Sequence, residues 1–385
     1  MRFSDALAGP GLGAIAEIKR RSPSLGDIRP DADPGRIARE YGLAGAAAVS
    51  VLVDERFGGS WDDLRAARAS TSVPLLAKGF FSSEEHLRTA REAGADAVLL
   101  LLRDLEDAQV RALAAAAEAI GLDTLVEAHD AGELERAVIL GAPVIGVNAR
   151  DLDTFEIDRA AQLELVARIP ADRIAVAESG IRTRAQGAAA ELAGANAILV
   201  GSTLMQAPDP AAKLRELLRR PLVKICGLTR EEDVAVAADA GADLAGFILA
   251  PESPRATADV LPVPDELLAV AVWVGHAGTS GAPIDQVHER EEGRVRGRNG
   301  VLLREGEQVA RLLDLPWEQE DPQHWERAAA EQGRIVLAGR LSADNVAQAI
   351  ERVRPWAVDA ASRLESAPGI KDADKVRAFV EASRA

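Results

Sequence analysis

The chain has few of the features that mark exported or membrane-spanning proteins. Among its 385 residues there is one cysteine, Cys226, so no disulfide can form within the chain and nothing indicates export. No apolar run approaches the roughly 18–20 residues that a membrane-spanning helix needs. The amino-terminal stretch is broken by Asp5 and several glycines, which is not the pattern of a signal peptide. We therefore expect the protein in the cytoplasm.

Positive charge is also scarce. Lysine and arginine number 45 against 61 aspartates and glutamates, which gives a net charge of −16. Such a surface repels nucleic acid, and no basic stripe offsets it, so we exclude nucleic-acid binding. The five histidines show no metal-ligand spacing, so we predict no metal site and interpret them as surface or loop residues. An anionic substrate would have to be attracted by a local basic pocket.

The sequence contains short apolar strands that alternate with amphipathic helices, the pattern of an α/β protein. Its length suits two domains, which we place at residues 1–218 and 219–385. Eight strand candidates in the first domain predict one complete (β/α)8 barrel, a TIM barrel. They lie at residues 14–19, 46–52, 74–78, 96–101, 123–127, 144–148, 174–178 and 197–201.

Charged, polar or glycine residues follow directly after most of these strands. A strand covered on both faces should be apolar throughout, so a charged residue at its tip is misplaced for packing. In a (β/α)8 barrel the carboxyl ends of the strands open into the active site. This pattern predicts an enzyme that acts on a phosphorylated, acidic small molecule. Burial and mutual charge should move the pKa values of its lysines and glutamates toward neutrality.

The second domain has only six strand candidates, at residues 222–226, 243–249, 269–274, 300–303, 334–338 and 356–360. Residues 275–299 are polar and rich in glycine, and residues 307–315 (EQVARLLDL) have helical periodicity. These patterns predict a reduced barrel that lacks about two strands, the fifth and the sixth. The unpaired edge strands of such a sheet would have to be covered by a helix, a loop or a partner.

Seven motifs at the strand ends of the first domain identify a family. They are EIKRRSPS (17–24), SVLVDERFGGS (50–60), AKGF (77–80), LVEAHD (125–130), GVNARDL (146–152), ESGI (178–181) and VGSTLM (200–205). In this order they closely resemble indole-3-glycerol-phosphate synthase. The resemblance implies a lyase of tryptophan biosynthesis that closes the ring of carboxyphenylamino-deoxyribulose phosphate with loss of CO2 and water, without cofactor or metal.

The resemblance also implies roles for individual residues. Lys78 would be the general acid and Glu127 the general base, while Lys19 would hold the substrate carboxylate. Glu17 and Asn148 would position these groups. The implied substrate-binding residues are Ser22, Phe57, Phe80, Arg150, Glu178 and Ser179, and the implied phosphate-binding residues are Gly180, Gly201 and Ser202.

Plainer interpretations of the same residues stay open. Lys78 could be a surface lysine, Glu127 a salt-bridge partner and Glu178 part of a structural network. Gly201 and Ser202 together could simply cap a helix.

The chain also departs from the family, which usually has Asp where Gly79 stands and a further helical segment before the first strand. We expect the missing segment to weaken substrate binding.

The second domain resembles phosphoribosylanthranilate isomerase through VKICGLTREED (223–233), APESPR (250–255), LAGRLSADNV (337–346) and VDAASRLESAPGIKD (358–372). The resemblance implies that Cys226 corresponds to the general base and Arg255 to the arginine that contacts the anthranilate carboxylate. Together the two domains look like a fused bifunctional enzyme.

Several isomerase features are not found in the sequence. The family's Gln-Leu-His-Gly after the fourth strand would fall on residues 302–305 (LLRE), and Arg340 and Arg363 stand where phosphate binding needs small residues. The family's acidic Asp ends the sixth strand, whereas Asp314 is interpreted as the end of a helix. We therefore predict a vestigial isomerase site at Cys226 and Arg255.

Two alternatives remain for the second domain. A working isomerase would require an Asp at the tip of a sixth strand, facing Cys226. A non-catalytic unit would stabilise the synthase or dock a partner. We expect a monomeric or weakly associating protein, and contact with other enzymes of the tryptophan pathway is left open.

Overall fold

The computed structural model describes residues 1–22, 25–151, 153–290, 297, 299–315 and 321–385. Pro23 and Ser24 of the first motif and Leu152 of the GVNARDL motif lie outside the described residues. The chain divides into two compact units, one of Met1–Arg182 with Gly187–Leu218 and one of Thr183–Gln186 with Arg219–Ala385. In the described ranges, no helix has the length and apolar character needed to cross a membrane.

The first unit is a closed barrel of eight parallel strands. Each strand pairs with the next, and the last pairs with the first, for example Ile15 beside Leu199. The predicted barrel is therefore confirmed. Its strands are β1 Gly13–Ile18, β2 Ala48–Leu52, β3 Leu75–Lys78, β4 Ala97–Leu101, β5 Asp123–Ala128, β6 Val144–Asn148, β7 Ile174–Glu178 and β8 Ala197–Val200.

Helices follow the strands and cover the barrel. Polar residues begin several of them; the side chains of Asp33, Ser60 and Asp130 each accept a hydrogen bond from a backbone N–H of the first turn. The helices are α1 Phe3–Leu7, α2 Pro34–Leu43, α3 Trp61–Ser70, α4 Glu84–Glu92, α5 Asp107–Ala119, α6 Ala131–Ile139, α7 Arg159–Ala167, α8 Arg184–Leu192, α9 Ser202–Gln206 and α10 Pro210–Leu218.

The strands are apolar on both faces because each face has its own core. One face packs on the helices, and the other fills the barrel with residues such as Ile15, Leu76 and Leu125. Phe3 and Leu7 of α1 are fully buried in this inner core. The barrel is thus a packed interior, which leaves the strand ends as the place for polar groups.

The second unit is also a closed barrel of eight strands, so the prediction that it lacks about two strands is wrong. The two strands that were not recognised are β12 and β14. The barrel consists of β9 Leu222–Cys226, β10 Leu244–Ile248, β11 Leu268–Val274, β12 Ile284–His288, β13 Asn299–Arg304, β14 Glu307–Leu313, β15 Ile335–Leu337 and β16 Ala357–Ala360.

One strand of the second barrel runs in the reverse direction. β13 pairs antiparallel with both β12 and β14, while the other pairs are parallel. A tight turn at Glu305 and Gly306, with φ of 52° and 85°, joins β13 to β14. The helix expected over residues 307–315 is therefore wrong. Ala310 and Leu312 are buried while Arg311 between them is exposed, which is the period of a strand.

The second barrel is reduced in helices rather than in strands. Its helices are α11 Glu231–Asp239, α12 His324–Ala330, α13 Val346–Val353 and α14 Ala373–Ala382. Within the described residues no helix follows β10, β11, β12 or β13. The usual alternation of strand and helix is interrupted in this part of the chain, which explains why sequence periodicity did not predict β12 and β14.

Candidate functional site

Lys78 lies at the centre of a charged network at the strand ends of the first barrel. Its Nζ donates a hydrogen bond to Oε2 of Glu178 at 2.7 Å. The same nitrogen lies 3.5 Å from Oε2 of Glu127 and 3.7 Å from Oε2 of Glu17. Strands β1, β3, β5 and β7 each supply one of these four residues. The interpretation of Lys78 as a surface lysine is wrong, because its side chain is 15% exposed.

A second lysine extends this network toward the end of β8. Nζ of Lys19 lies 3.1 Å from Oε1 of Glu17. Gly201 lies directly against this pair, since a Cβ at that position would be 3.0 Å from Nζ of Lys19 and would collide with the Glu17 carboxylate. A side chain at this position would displace the Glu17 carboxylate and the Lys19 ammonium, and this ammonium lies beside the expected phosphate-binding turn.

Glu127 is held by two further groups. Nδ2 of Asn148 donates a hydrogen bond to its Oε1 at 2.9 Å, and Nε2 of His129 lies 3.2 Å from the same oxygen. Asn148 is oriented in turn, because its Oδ1 accepts a hydrogen bond from the backbone N–H of Arg150 at 3.0 Å. Among the described residues, no group donates a hydrogen bond to the buried Oε2 of Glu127. Oε1 is therefore held by Asn148, whereas Oε2 is buried and lies 3.5 Å from Nζ of Lys78.

The charges of the network set its protonation states. Burial disfavours the Lys78 ammonium, but the surrounding carboxylates of Glu178, Glu127 and Glu17 outweigh it and raise the pKa of Lys78. Burial also opposes ionisation of Glu127, yet Lys78, His129 and Asn148 together lower its pKa to about 2. At neutral pH Lys78 is therefore a cation and Glu127 an anion. The expected movement of both pKa values toward neutrality is wrong, because opposite charges outweigh burial.

Glu178 behaves differently from Glu127. Its burial, together with the negative charge of Glu127, raises the pKa of Glu178 to about 8 despite the nearby Lys78. A Cβ at Gly146 would collide with the Glu178 carboxylate, and the side chain of Gln162 donates to the backbone oxygen of Glu178 at 2.5 Å. Gly146 leaves room for this carboxylate, and Gln162 fixes its backbone.

The remaining predicted residues of the first barrel lie on the loops after its strands. Ser22 is buried and its Oγ accepts from the backbone N–H of Leu25. Phe57 is half-buried in a short 3-10 turn, and the ring of the exposed Phe80 is covered at 3.9 Å by the guanidinium of Arg56.

Ser179 and Gly180 adopt consecutive positive φ angles of 69° and 72° after β7, and Ser202 begins α9 after β8. The two candidate phosphate turns therefore follow neighbouring strands, since β7 pairs with β8.

A cavity of about 950 Å3 opens at the strand ends of the second barrel. Cys226 ends β9 and lines this cavity, and so does Asp314, which directly follows β14. β14 is the sixth strand of this barrel. The Asp that a working isomerase requires at the tip of the sixth strand is therefore present, in the same cavity as Cys226. The interpretation of Asp314 as a helix end is wrong.

The fourth strand of this barrel carries Gln286 and His288, both buried and both lining the same cavity. The expected placement of the family's Gln-Leu-His-Gly on residues 302–305 is wrong, because those residues belong to the reversed strand and its turn. Oε1 of Gln286 accepts a hydrogen bond from the buried Lys224 at 2.9 Å, and Lys224 also contacts Asp359 at 2.8 Å. Burial raises the pKa of Cys226 despite the neighbouring Lys224.

Three arginines line this second cavity: Arg255, Arg340 and Arg363. Nε of Arg255 lies 2.8 Å from Oε1 of Glu365, and its Nη2 lies 2.9 Å from Oε2 of Glu365. Arg340 has a φ of 60°, in the left-handed region that favours glycine. The cavity is thus cationic at the ends of its last two strands.

The interpretation of the five histidines as surface or loop residues is wrong for His288 and His324. His288 and His324 are buried, and His129 is a member of the first charged network. A signal for His129 was available: it follows Glu127 by two residues at a strand end, and Glu133 comes four residues later in the next helix. The described residues contain no group of three or more potential ligands that could hold a metal ion.

Comparison with known proteins adds independent evidence. A family model described as indole-3-glycerol phosphate synthase matches residues 1–217. A model described as N-(5'phosphoribosyl)anthranilate (PRA) isomerase matches residues 322–382.

Curated relatives match the same first part of the chain. Indole-3-glycerol phosphate synthase 2 of Streptomyces coelicolor is 46% identical over 217 residues, which cover 56% of this chain and 84% of that protein. The indole-3-glycerol phosphate synthase of Opitutus terrae is 46% identical over 226 residues, 57% of this chain and 85% of its own. Among solved structures, TrpF from Jonesia denitrificans is similar, with 27% identity, a TM-score of 0.34, and coverage of 43% of this chain and 97% of that one.

Proposed function

This chain belongs to the indole-3-glycerol phosphate synthase family, and on that basis we propose how the residues of its first barrel, at 1–218, divide the reaction. The synthase closes the indole ring of carboxyphenylamino-deoxyribulose phosphate and releases CO2 and water. The observation that carries the proposal is the placement of one ammonium group, Lys78, within 3.7 Å of three carboxylates at the strand ends.

Lys78 is proposed as the general acid. Attack of the aromatic ring on the substrate carbonyl carbon forms the new carbon–carbon bond and places negative charge on the carbonyl oxygen. The Lys78 ammonium protonates that oxygen, and loss of CO2 returns the bonding electrons to the ring. The raised pKa of Lys78 keeps its proton available at neutral pH.

Glu127 is proposed as the general base of the dehydration. Glu127 removes a proton from the ring-closed intermediate, and the hydroxyl leaves as water after a lysine ammonium of the site protonates it. Oε2 is proposed to accept that proton, because Oε1 already accepts a hydrogen bond from Nδ2 of Asn148. The lowered pKa of Glu127 keeps the carboxylate ionised, which is the state that a base requires.

Lys19 and the loop residues are proposed to bind the substrate. Lys19 lies between Glu17 and Gly201, where it can reach both the carboxylate and the phosphate. The turns of Gly180 and of Gly201 with Ser202 follow the seventh and eighth strands, where barrels of this type commonly bind phosphate. Ser22, Phe57, Phe80, Arg150 and Ser179 would surround the aromatic part, with Glu178 partnering Lys78.

Replacement of Lys78 by Met tests the acid. We expect kcat with carboxyphenylamino-deoxyribulose phosphate to fall by about 10²–10⁴-fold, the usual contribution of general acid catalysis. Glu127→Gln should reduce kcat by a similar factor. Lys213→Met, on helix α10, is the matched control, and its kcat should equal that of the unmodified enzyme. A Lys78→Met protein with the kcat of the unmodified enzyme would remove Lys78 from the mechanism.

We propose a second activity, phosphoribosylanthranilate isomerisation, for the second barrel at residues 219–385. The predicted loss of this activity depended on the deletion of the fifth and sixth strands, and both strands are present. Cys226 and Asp314 line one cavity and supply a base and an acid, and Arg255 supplies a cation. Two residues still support a loss of isomerase activity: Arg340 and Arg363 stand where small residues would let backbone N–H groups bind phosphate.

Paired assays separate these outcomes. Turnover of phosphoribosylanthranilate that disappears in both Cys226→Ala and Asp314→Asn would support the isomerase, and synthase kcat should be unchanged in either variant. If the unmodified protein turns over only the synthase substrate, the second barrel is a non-catalytic unit and the predicted loss is correct. Size-exclusion measurements on the same samples test the predicted monomer.

A further inference from the structure

We propose that His129 is a positioning residue of the synthase site, whose charged ring holds the Oε1 end of the Glu127 carboxylate while Lys78 lies at the Oε2 end. The proposal rests on the proposed role of Glu127 as general base. His129 lies in the turn between β5, which carries Glu127, and α6. Its side chain is 14% exposed, so the ring lies within the protein rather than on its surface.

The imidazole ring of His129 lies between two carboxylates. Nε2 is 3.2 Å from Oε1 of Glu127, and Nδ1 is 3.1 Å from Oε2 of Glu133. A neutral imidazole has one N–H and one lone pair, so it would direct the lone pair at one of these anions. The imidazolium places a positive charge beside both carboxylates, and its Nδ1 faces Glu133. The geometry therefore selects the charged ring.

The outer carboxylate is itself anchored. Oε2 of Glu133 also accepts a hydrogen bond from the backbone N–H of His129 at 2.8 Å. The backbone N–H of Glu133 donates to Oδ1 of Asp130, the residue that begins α6, at 2.8 Å. The turn between strand and helix thus holds Glu133 and His129 in one arrangement, and the ring cannot rotate away without losing both contacts.

The charges around the ring are consistent with this arrangement. Burial opposes the imidazolium, but Glu127 and Glu133 outweigh it and raise the pKa of His129 to about 10. Lys78 lies on the other side of Glu127, with its Nζ 3.5 Å from Oε2. The positive charge of Arg103, in the loop after β4, interacts with the negative charge of Glu133. Asn148, on β6, is the uncharged side chain that donates a hydrogen bond to Glu127. Glu127 therefore has a cation at each end of its carboxylate.

The consequence for catalysis concerns a single oxygen. With His129 and Asn148 on Oε1, the carboxylate plane is fixed and Oε2 faces the Lys78 ammonium. Loss of the imidazolium would remove one of the two cations that lower the pKa of Glu127, so the carboxylate would take up a proton at higher pH. Activity would then begin to fall at a higher pH on the acidic side of the profile, because protonated Glu127 cannot act as a base.

His129→Gln tests this role, because glutamine can donate a hydrogen bond but carries no charge. We expect kcat to fall about 10-fold and the acidic limb of the kcat profile to move up by about one pH unit, the effect of losing one nearby opposite charge. KM should change little. Glu133→Gln keeps the ring but removes its outer partner, and it should move the same limb in the same direction by less.

The controls distinguish this proposal from the role of Glu127. His86→Gln, at an exposed histidine of α4, should leave kcat and the pH profile unchanged. His129→Lys, which restores a cation, should return the acidic limb toward its original position. An unchanged acidic limb in folded His129→Gln and Glu133→Gln proteins would overturn the positioning role. Wild-type kcat in Glu127→Gln would instead overturn the base itself, whatever the histidine variants show.

Discussion

The three glutamates around Lys78 have different protonation behaviour although they share one cation. Glu127 also contacts His129 and Asn148, and Glu17 also contacts Lys19, so these two remain ionised. Glu178 is fully buried and, besides its contact with Lys78, lies near the negative Glu127. It is the carboxylate that can hold a proton near neutral pH. The network therefore has one member whose charge changes within the working pH range.

Ionisation of Glu178 should weaken the acid Lys78. Above its raised pKa of about 8 the glutamate gains a negative charge 2.7 Å from Nζ, which stabilises the ammonium and makes it a poorer proton donor. We expect kcat of the unmodified enzyme to fall above about pH 8.

Glu178→Gln imitates the protonated form, so its basic limb should move to higher pH, while kcat near pH 7 should change little. A pH–rate profile of both proteins checks this. A basic limb that is identical in the two would show that another group titrates there.

The reversed strand β13 depends on a turn that its sequence only partly favours. Both Glu305 and Gly306 have positive φ, as in a type I′ hairpin, for which Asn-Gly is the preferred pair. Glutamate in this conformation is strained by its Cβ. The Arg304–Glu305 ion pair has one exposed partner and adds little.

Glu305→Asn should therefore stabilise the protein by about 1 kcal/mol, because asparagine tolerates the left-handed region. Glu305→Val should destabilise it. Urea unfolding followed by circular dichroism measures both, and Glu307→Asn on the exposed start of β14 is the control. A Glu305→Asn protein that is less stable than the unmodified one would contradict this account of the turn.

The sequence predicted the first barrel well because each strand there is a short apolar run that ends in a charged or glycine residue. In the second barrel, the strand Glu307–Leu313 contains glutamate, glutamine, alanine and leucine, which are good helix formers. Its strand conformation depends on pairing with β13, which is not visible from local periodicity. The same tertiary pairing placed Asp314 in the cavity, and so the sequence alone could not find that residue.

Each barrel closes with its own eight strands, and this bears on how far the two activities depend on one another. All the proposed synthase residues, from Glu17 to Ser202, lie on strands of the first barrel or on the segments that follow them. The synthase model ends at residue 217, near this division, and the isomerase model matches residues 322–382, within the second barrel. None of the proposed synthase residues therefore belongs to the second barrel.

We expect a chain that ends after Leu218 to keep the synthase kcat and KM of the full-length protein. Its eight parallel strands leave no open sheet edge, so the loss of residues 219–385 removes no strand partner. Steady-state assays and thermal unfolding of both proteins measure this. Unchanged kinetics with a lower unfolding temperature would assign the second barrel a stabilising role as well. A soluble, folded fragment without synthase activity would show that the second barrel contributes to the site, and the division of residues argued above would be wrong.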